Sequence, residues 1–143
     1  MTRIKLMAVG KIKEKWVKDG IDEFSKRLKN KIETIEIKDS TKEKESQEII
    51  KKLEKISGFI MVALDEHGEL MNSLQFADFL KKNNDICFII GGPGGLHDTV
   101  LQKMNKKISL SRLTFTHELA LLIFFEQLYR GFSILEGKKY HRE

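Results

Sequence analysis

The stretch Ile86–Leu96, ICFIIGGPGGL, decides how this chain is read. Ile86–Ile90 is apolar throughout, and a strand without a polar side belongs inside a parallel sheet covered on both faces. Four glycines around Pro93 then end it and allow close approach of backbone to a ligand, or serve only as a turn. Phe59–Leu64 (FIMVAL) has the same character and runs into LDEHG at Leu64–Gly68. Further out, Arg3–Val9 reads as a strand ending at Gly10. Ile32–Ile37 is β-branched, with Ile35 and Ile37 on one face, and a fifth strand is expected near Ile108–Leu113.

Helical spacing fills the gaps. Glu14–Lys29 carries a stripe of Trp16, Val17, Ile21, Phe24 and Leu28. Ile49, Ile50, Leu53 and Ile56 mark a second helix, preceded by the most polar segment, Lys38–Ser46, read as a loop running into it. Ser73 is placed to cap a third helix bearing Leu74, Phe76, Ala77, Phe79 and Leu80. A short helix is expected around Asp98–Met104, and a long one from Thr116 or His117 to about Leu135. Five strands alternating with five helices predict an α/β fold, a mostly parallel sheet with helices on both faces. Ligands of such sheets bind at the carboxyl ends of the strands, which selects Leu64–Gly68, Gly91–Leu96 and Leu110–Thr116.

The 143 residues (16.6 kDa) argue for one domain over 1–143, and 41% hydrophobic residues can fill its core. One Pro and ten Gly beside 33% charged residues exclude a disordered or collagen-like chain. A single cysteine, Cys87, excludes a disulfide framework and a multi-cysteine zinc site, and its place in ICFII predicts a buried thiol. The longest apolar run, Leu119–Phe125, falls far short of the ~20 residues of a membrane helix. Lys and Arg enter the N-terminus early, and no small-residue cleavage site follows, so no secretory signal is expected and the cytoplasm is the expected location. The net charge of +5 is uneven: residues 1–57 hold 16 Lys/Arg against 11 Asp/Glu, whereas the remainder holds 10 of each. A surplus so placed fits either a polyanion footprint or solvated helix faces.

Several chemistries are excluded by spacing. Counting from Gly92, the third glycine of a dinucleotide fingerprint would fall on His97, and no GK[ST] follows the loop. His117-Glu118 lacks a second histidine at position 121, which is Leu121, and the four histidines show no metal-ligand spacing, so no metal is expected. The segment LALLIFFEQLYRGF is apolar nearly all round, which predicts burial against a second subunit as well as the sheet. Within it Glu126 and Arg130 stand at i and i+4, spaced either for a helix-stabilising ion pair or for a functional arginine at a dimeric cleft. Beyond Gly137, the basic KKYHRE ending reads as a tail.

Six motifs in fixed order carry a resemblance. They are AVGK at Ala8–Lys11 with KEKW, LDEHG at Leu64–Gly68, IGGPGGL at Ile90–Leu96, LSRLTFTHELA at Leu110–Ala120, EQLYRGF at Glu126–Phe132 and YHRE at Tyr140–Glu143. Together they resemble the ribosomal large-subunit methyltransferase H family, the 23S rRNA pseudouridine N3-methyltransferases of the SPOUT class, over the whole chain. The resemblance implies a C-terminal deep trefoil knot and a homodimer acting on 23S rRNA in the assembled ribosome. It places S-adenosylmethionine on Leu64, Gly91 and Gly92, and on Leu110, Ser111, Arg112, Leu113, Thr114 and Phe115. The tail residues Tyr140, His141 and Arg142 would meet substrate in a site shared with the partner subunit. Two departures stand out: Thr116 replaces the proline usual after TF, and the chain is shorter than most members near Lys38–Ser46.

Methyl transfer from a sulfonium needs no metal and no covalent enzyme intermediate, only an in-line alignment of donor and acceptor. An imide nitrogen must lose its proton, and cationic donors near the pyrimidine oxygens favour the developing charge. Arg130, His141 and Arg142 are the expected catalytic residues, with His141 a candidate base. Competing readings are a non-catalytic RNA-binding module of this fold, a SPOUT enzyme acting on transfer RNA and, third, a nucleotide-dependent oxidoreductase.

Overall fold

Alternation along the central strands sorts the side chains into two layers. A computed structural model of the protein describes residues 2–29 and 31–142; Met1, at the start of the expected domain, and Glu143, the last residue of YHRE, lie outside the described residues. The elements in chain order are β1 (Arg3–Val9), α1 (Lys15–Leu28), β2 (Ile32–Ile37), α2 (Lys42–Leu53) and β3 (Ile60–Leu70). They continue as α3 (Ser73–Lys82), β4 (Asp85–Ile90), α4 (Asp98–Leu101), β5 (Lys106–Ser109) and α5 (His117–Leu135). The strands form one sheet in the order β2-β1-β4-β3-β5, and all four pairings are parallel. This is the α/β arrangement expected from the alternating pattern.

Ile4, Leu6 and Ala8 of β1 join Ile86, Phe88 and Ile90 of β4 in a core with α1, α3 and α5. Met7, Val9, Cys87 and Ile89 point the other way, onto α2 and α4. Strand β4 is thus flanked by β1 and β3 at its edges and covered by helices on both faces, which is why ICFII carries no polar residue. Phe88 meets Phe124 of α5 edge-on at 4.9 Å, a geometry worth about 0.5–1.5 kcal/mol beyond burial. Helix α5 comes close to α3 at Gly131, where a Cβ would stand 2.7 Å from Leu80 Cδ1.

Several boundaries differ from the sequence pattern, most of them for a local reason. The second helix starts at Lys42, capped by Thr41 Oγ1, which accepts from Lys44 N, so half of the expected polar loop is helical and Ile56 lies beyond the last turn. Asn72, not Ser73, caps α3: its side chain accepts from Gln75 N while Gln75 Oε1 accepts from Asn72 N. Ser73 Oγ instead donates to Gln127 Oε1 on α5 at 2.7 Å. The fifth strand ends at Ser109, four residues before the expected Leu113, because Leu113 N turns to Ser111 Oγ rather than to a neighbouring strand. The short helix α4 stops at Leu101 rather than Met104.

Strand β3 continues to Leu70, six residues beyond FIMVAL. Both Leu64 and Glu69 pair with Ile108, so the residues between them leave the ladder as an excursion and return. Gly68 makes the return feasible, since a Cβ there would stand 2.7 Å from the Lys107 carbonyl carbon.

Candidate active site

The excursion of β3, the glycine loop after β4 and the loop after β5 open on the same side of the sheet, at the carboxyl ends of their strands. They enclose a cleft of about 500 Å³, within the usual range for small-molecule sites. Eight of the nine residues expected at a cofactor site line it: Leu64, Gly91, Gly92, Leu110, Ser111, Leu113, Thr114 and Phe115. Arg112 does not. Its guanidinium donates to the Glu66 carbonyl, bracing the loop from outside. Leu113, 72% exposed, is an apolar side chain at the mouth with little protein against it.

The loops are tied to one another through Glu66. Its carbonyl lies 3.1 Å from the buried Ser109 Oγ, and Thr114 Oγ1 donates to its carboxylate at 3.4 Å. In the glycine loop Gly95 N donates to the Gly92 carbonyl at 2.9 Å, and Gly95 has a φ of +77°. A Cβ on Gly91 would stand 2.7 Å from the Gly95 carbonyl, so this turn closes only without a side chain. Gly94 has no such constraint, with nothing within 4 Å of a built Cβ.

Asp65, Glu66 and His67, within the selected strand end Leu64–Gly68, also line the cleft. Sequence reasoning missed Lys42, Ile90, Leu101, His117 and Ala120, which line it too. Lys42 comes from α2 and carried no local signal. The residue after the usual proline position, His117, opens α5, and Thr116 caps that helix by accepting from Leu119 N. Thr116 thus supplies in a hydroxyl what proline would supply as a fixed φ.

Glu118 ties the start of α5 to the segment before α1. It accepts from Lys13 N and Glu14 N, both at 3.1 Å, and so satisfies the start of α1, whose own N-cap residue provides no side-chain bond. These two bonds hold the Glu118 carboxyl below its ordinary range. Beside the main cleft, and sharing Pro93 and His117 with it, lies a cavity of about 350 Å³ bounded by Gly10, Lys11, Lys13, Lys38 and Asp39.

Of the expected catalytic residues, Arg130 and His141 meet elsewhere, beside the far part of α5. Arg130 Nη2 donates to Glu126 Oε2 at 2.6 Å, and Tyr140 Oη donates to the same oxygen at 2.8 Å. Arg130 stacks on the Tyr140 ring at 4.8 Å, and Tyr140 meets Tyr129 edge-on. Burial, with the Glu126 bond second, pushes the Tyr140 phenol up. The tail is therefore folded against its own helix. Arg130 Nη1 lies 3.1 Å from His141 Nδ1; a guanidinium only donates, so Nδ1 accepts and Nε2 carries the proton. Arg142 is exposed, and none of Arg130, Tyr140, His141 or Arg142 lines the cleft of its own chain.

A parallel α/β sheet with a braced, glycine-walled cleft at its carboxyl edge defines a small-molecule-binding protein of the α/β class. The chain belongs to the SPOUT methyltransferases: residues 2–141 match the family described as "Predicted SPOUT methyltransferase". It is 43% identical to the ribosomal RNA large subunit methyltransferase H of Prochlorococcus marinus (strain NATL2A), over 100% of this chain and 98% of that one. The protein of that name from Geotalea daltonii is 40% identical, over 97% of this chain and 99% of that one. The solved structure of a probable methylase family protein from Haemophilus influenzae Rd KW20 superposes with a TM-score of 0.63 at 11% identity, covering 99% of this chain and 71% of the other. At that identity the likeness concerns the fold alone.

Proposed function

We propose that the protein is an S-adenosylmethionine-dependent rRNA methyltransferase that modifies N3 of a pseudouridine in 23S rRNA on the assembled ribosome. The observation that carries this reading is the convergence of three sequence-distant strand ends on one cleft in a methyltransferase fold. Full-length relatives named ribosomal RNA large subunit methyltransferase H support the substrate class.

The lining fits the donor. Leu64, Ile90, Leu96, Leu110 and Phe115 offer apolar wall for a purine, and the open side of Gly94 leaves backbone accessible. Asp65 and Glu66 add carboxylates that favour a cationic ligand. Bound there, the donor supplies a methyl group already attached to a positively charged leaving group. The protein's share is alignment and charge: the braced loops limit the approach to one direction, and Arg130 and Arg142 offer positive charge to a developing imidate. His141, as hydrogen-bonded here, presents Nε2–H as a donor; to accept a proton it must first leave Arg130.

Because the Tyr140–Arg142 tail stands apart from the cleft of its own chain, this reading pairs it with the cleft of a second copy in a homodimer. Partly exposed Leu119 and Ile123 on α5 support such a contact. The same reading includes one catalytic domain per chain, a cytoplasmic location and a trefoil knot, for which the close passage of Gly68 over Lys107 is supporting geometry. Among the described residues, no helix is long and apolar enough to cross a membrane.

Mass spectrometry of rRNA nucleosides from cells with and without the gene tests the reading. Loss of one methylated pseudouridine is the expected result, and an unchanged nucleoside profile refutes it. Calorimetry with S-adenosylmethionine separates an enzyme from a binding-only module, which would give no heat.

A further inference from the structure

The smaller cavity beside the main cleft has no part in the chemistry above. Its wall brings together Lys11 and Lys13 from the loop after β1, Lys38 from the end of β2, and His117 from the start of α5. Among the described residues none of these lysines has an ion-pair partner, so their ammonium groups are open to a ligand, as are those of most lysines outside the pairs made by Lys5, Lys15, Lys31, Lys52, Lys82, Lys106 and Lys138. Glu36 and Asp39 share the cavity with them.

The lysines are also held in place. Gly10, with a φ of +86°, turns the chain out of β1, and its N–H is spent on the Ile37 carbonyl. Glu118 takes the N–H groups of Lys13 and Glu14, fixing the loop by its backbone. The start of α1 is thereby already occupied by a carboxylate, and what remains free is the ammonium groups. Pro93 and His117 line both cavities, so the two adjoin across a shared wall.

From this geometry we propose that the smaller cavity is a phosphodiester subsite that seats the RNA backbone beside the nucleotide presented to the main cleft. The proposal rests on the rRNA methyltransferase reading for the identity of its ligand. Glu118 acts in it as a positioning residue, through the loop that carries Lys11 and Lys13.

The test compares binding to purified large ribosomal subunits across a salt series for the wild type, K11Q/K13Q/K38Q and a control triple, K26Q/K51Q/K55Q, that removes equal charge outside both cavities. The cavity triple is expected to lose tenfold or more in affinity, and its log–log salt slope to fall by about two, since each phosphate contact contributes roughly 0.7–0.9. The control is expected to stay within twofold. Equal losses in both triples, or a cavity triple indistinguishable from wild type, would overturn the subsite. Calorimetry with S-adenosylmethionine runs in parallel: a wild type that takes up no donor refutes the methyltransferase reading, while selective loss of subunit binding by the cavity triple would still support the subsite.

Discussion

Replacing Gly91 by alanine tests the glycine loop at its tightest point. The new Cβ would stand 2.7 Å from both the carbonyl carbon and oxygen of Gly95 and 3.1 Å from Leu96 Cδ2. Backbone is the obstacle, so the loop must open by several tenths of an ångström, straining the 2.9 Å bond from Gly95 N to the Gly92 carbonyl. Overpacking of this kind costs about 1–3 kcal/mol. If the loop opens locally to relieve it, S-adenosylmethionine must close the loop again on binding, and each 1.4 kcal/mol becomes a tenfold loss of affinity. Calorimetry should therefore show donor binding weakened roughly 5- to 150-fold. Urea unfolding of the same variant should report a smaller change, because a loop that opens locally relieves the strain without disturbing the sheet. Gly94→Ala is the internal control, with nothing within 4 Å and no positive φ, and its stability should match wild type. Donor affinity unchanged in Gly91→Ala would refute the assignment of this turn to the donor site.

Other outcomes follow from the same packing and charges. Phe124→Ala removes a fully buried ring that touches both Phe88 and Phe125, and should cost about 3–5 kcal/mol in urea unfolding. Burial pushes the Cys87 thiol up to about 11; in the native protein near pH 8 an alkylating reagent should leave it unmodified, and rapid labelling without denaturant would contradict the packing. The Glu118 carboxyl is held below its ordinary range, so its stabilising effect is present above about pH 4.3, the usual unfolded value, and fades as pH falls through the lower folded value. Thermal melts between pH 6 and 3 should show part of this acid sensitivity missing in Glu118→Gln. His141→Ala and Arg142→Ala should each slow methyl transfer to ribosomes while leaving donor heat intact; an unchanged rate would remove that residue from the chemistry.

Periodicity was sufficient for the layers. The all-apolar ICFII could satisfy itself only between two strands with helices above and below, and β4 lies there. The strand-end rule likewise selects Leu64–Gly68, Gly91–Leu96 and Leu110–Thr116, because parallel strands leave their carboxyl ends on one edge. Failures fell where side chains compete with the backbone. Ser111 draws Leu113 N away from a ladder, Asn72 outbids Ser73 for the cap, and Thr41 starts a helix inside a segment too polar to show periodicity. Arg112 lies in the expected stretch yet turns outward, since a position in the chain does not reveal which way a long side chain reaches.

Which residues belong to strands, which to helices, and which strand ends open on the cleft was written in local order, because burial on a sheet or helix imposes a repeat that a reader can count. The joining of distant groups was not. Glu118 on the start of α1, Glu66 between two loops, Lys42 at the cleft, and the folding of Tyr140 and His141 onto Glu126 and Arg130 depend on how elements pack in three dimensions. Single polar contacts between segments tens of residues apart leave no repeat in the chain, so only the tertiary structure decides them.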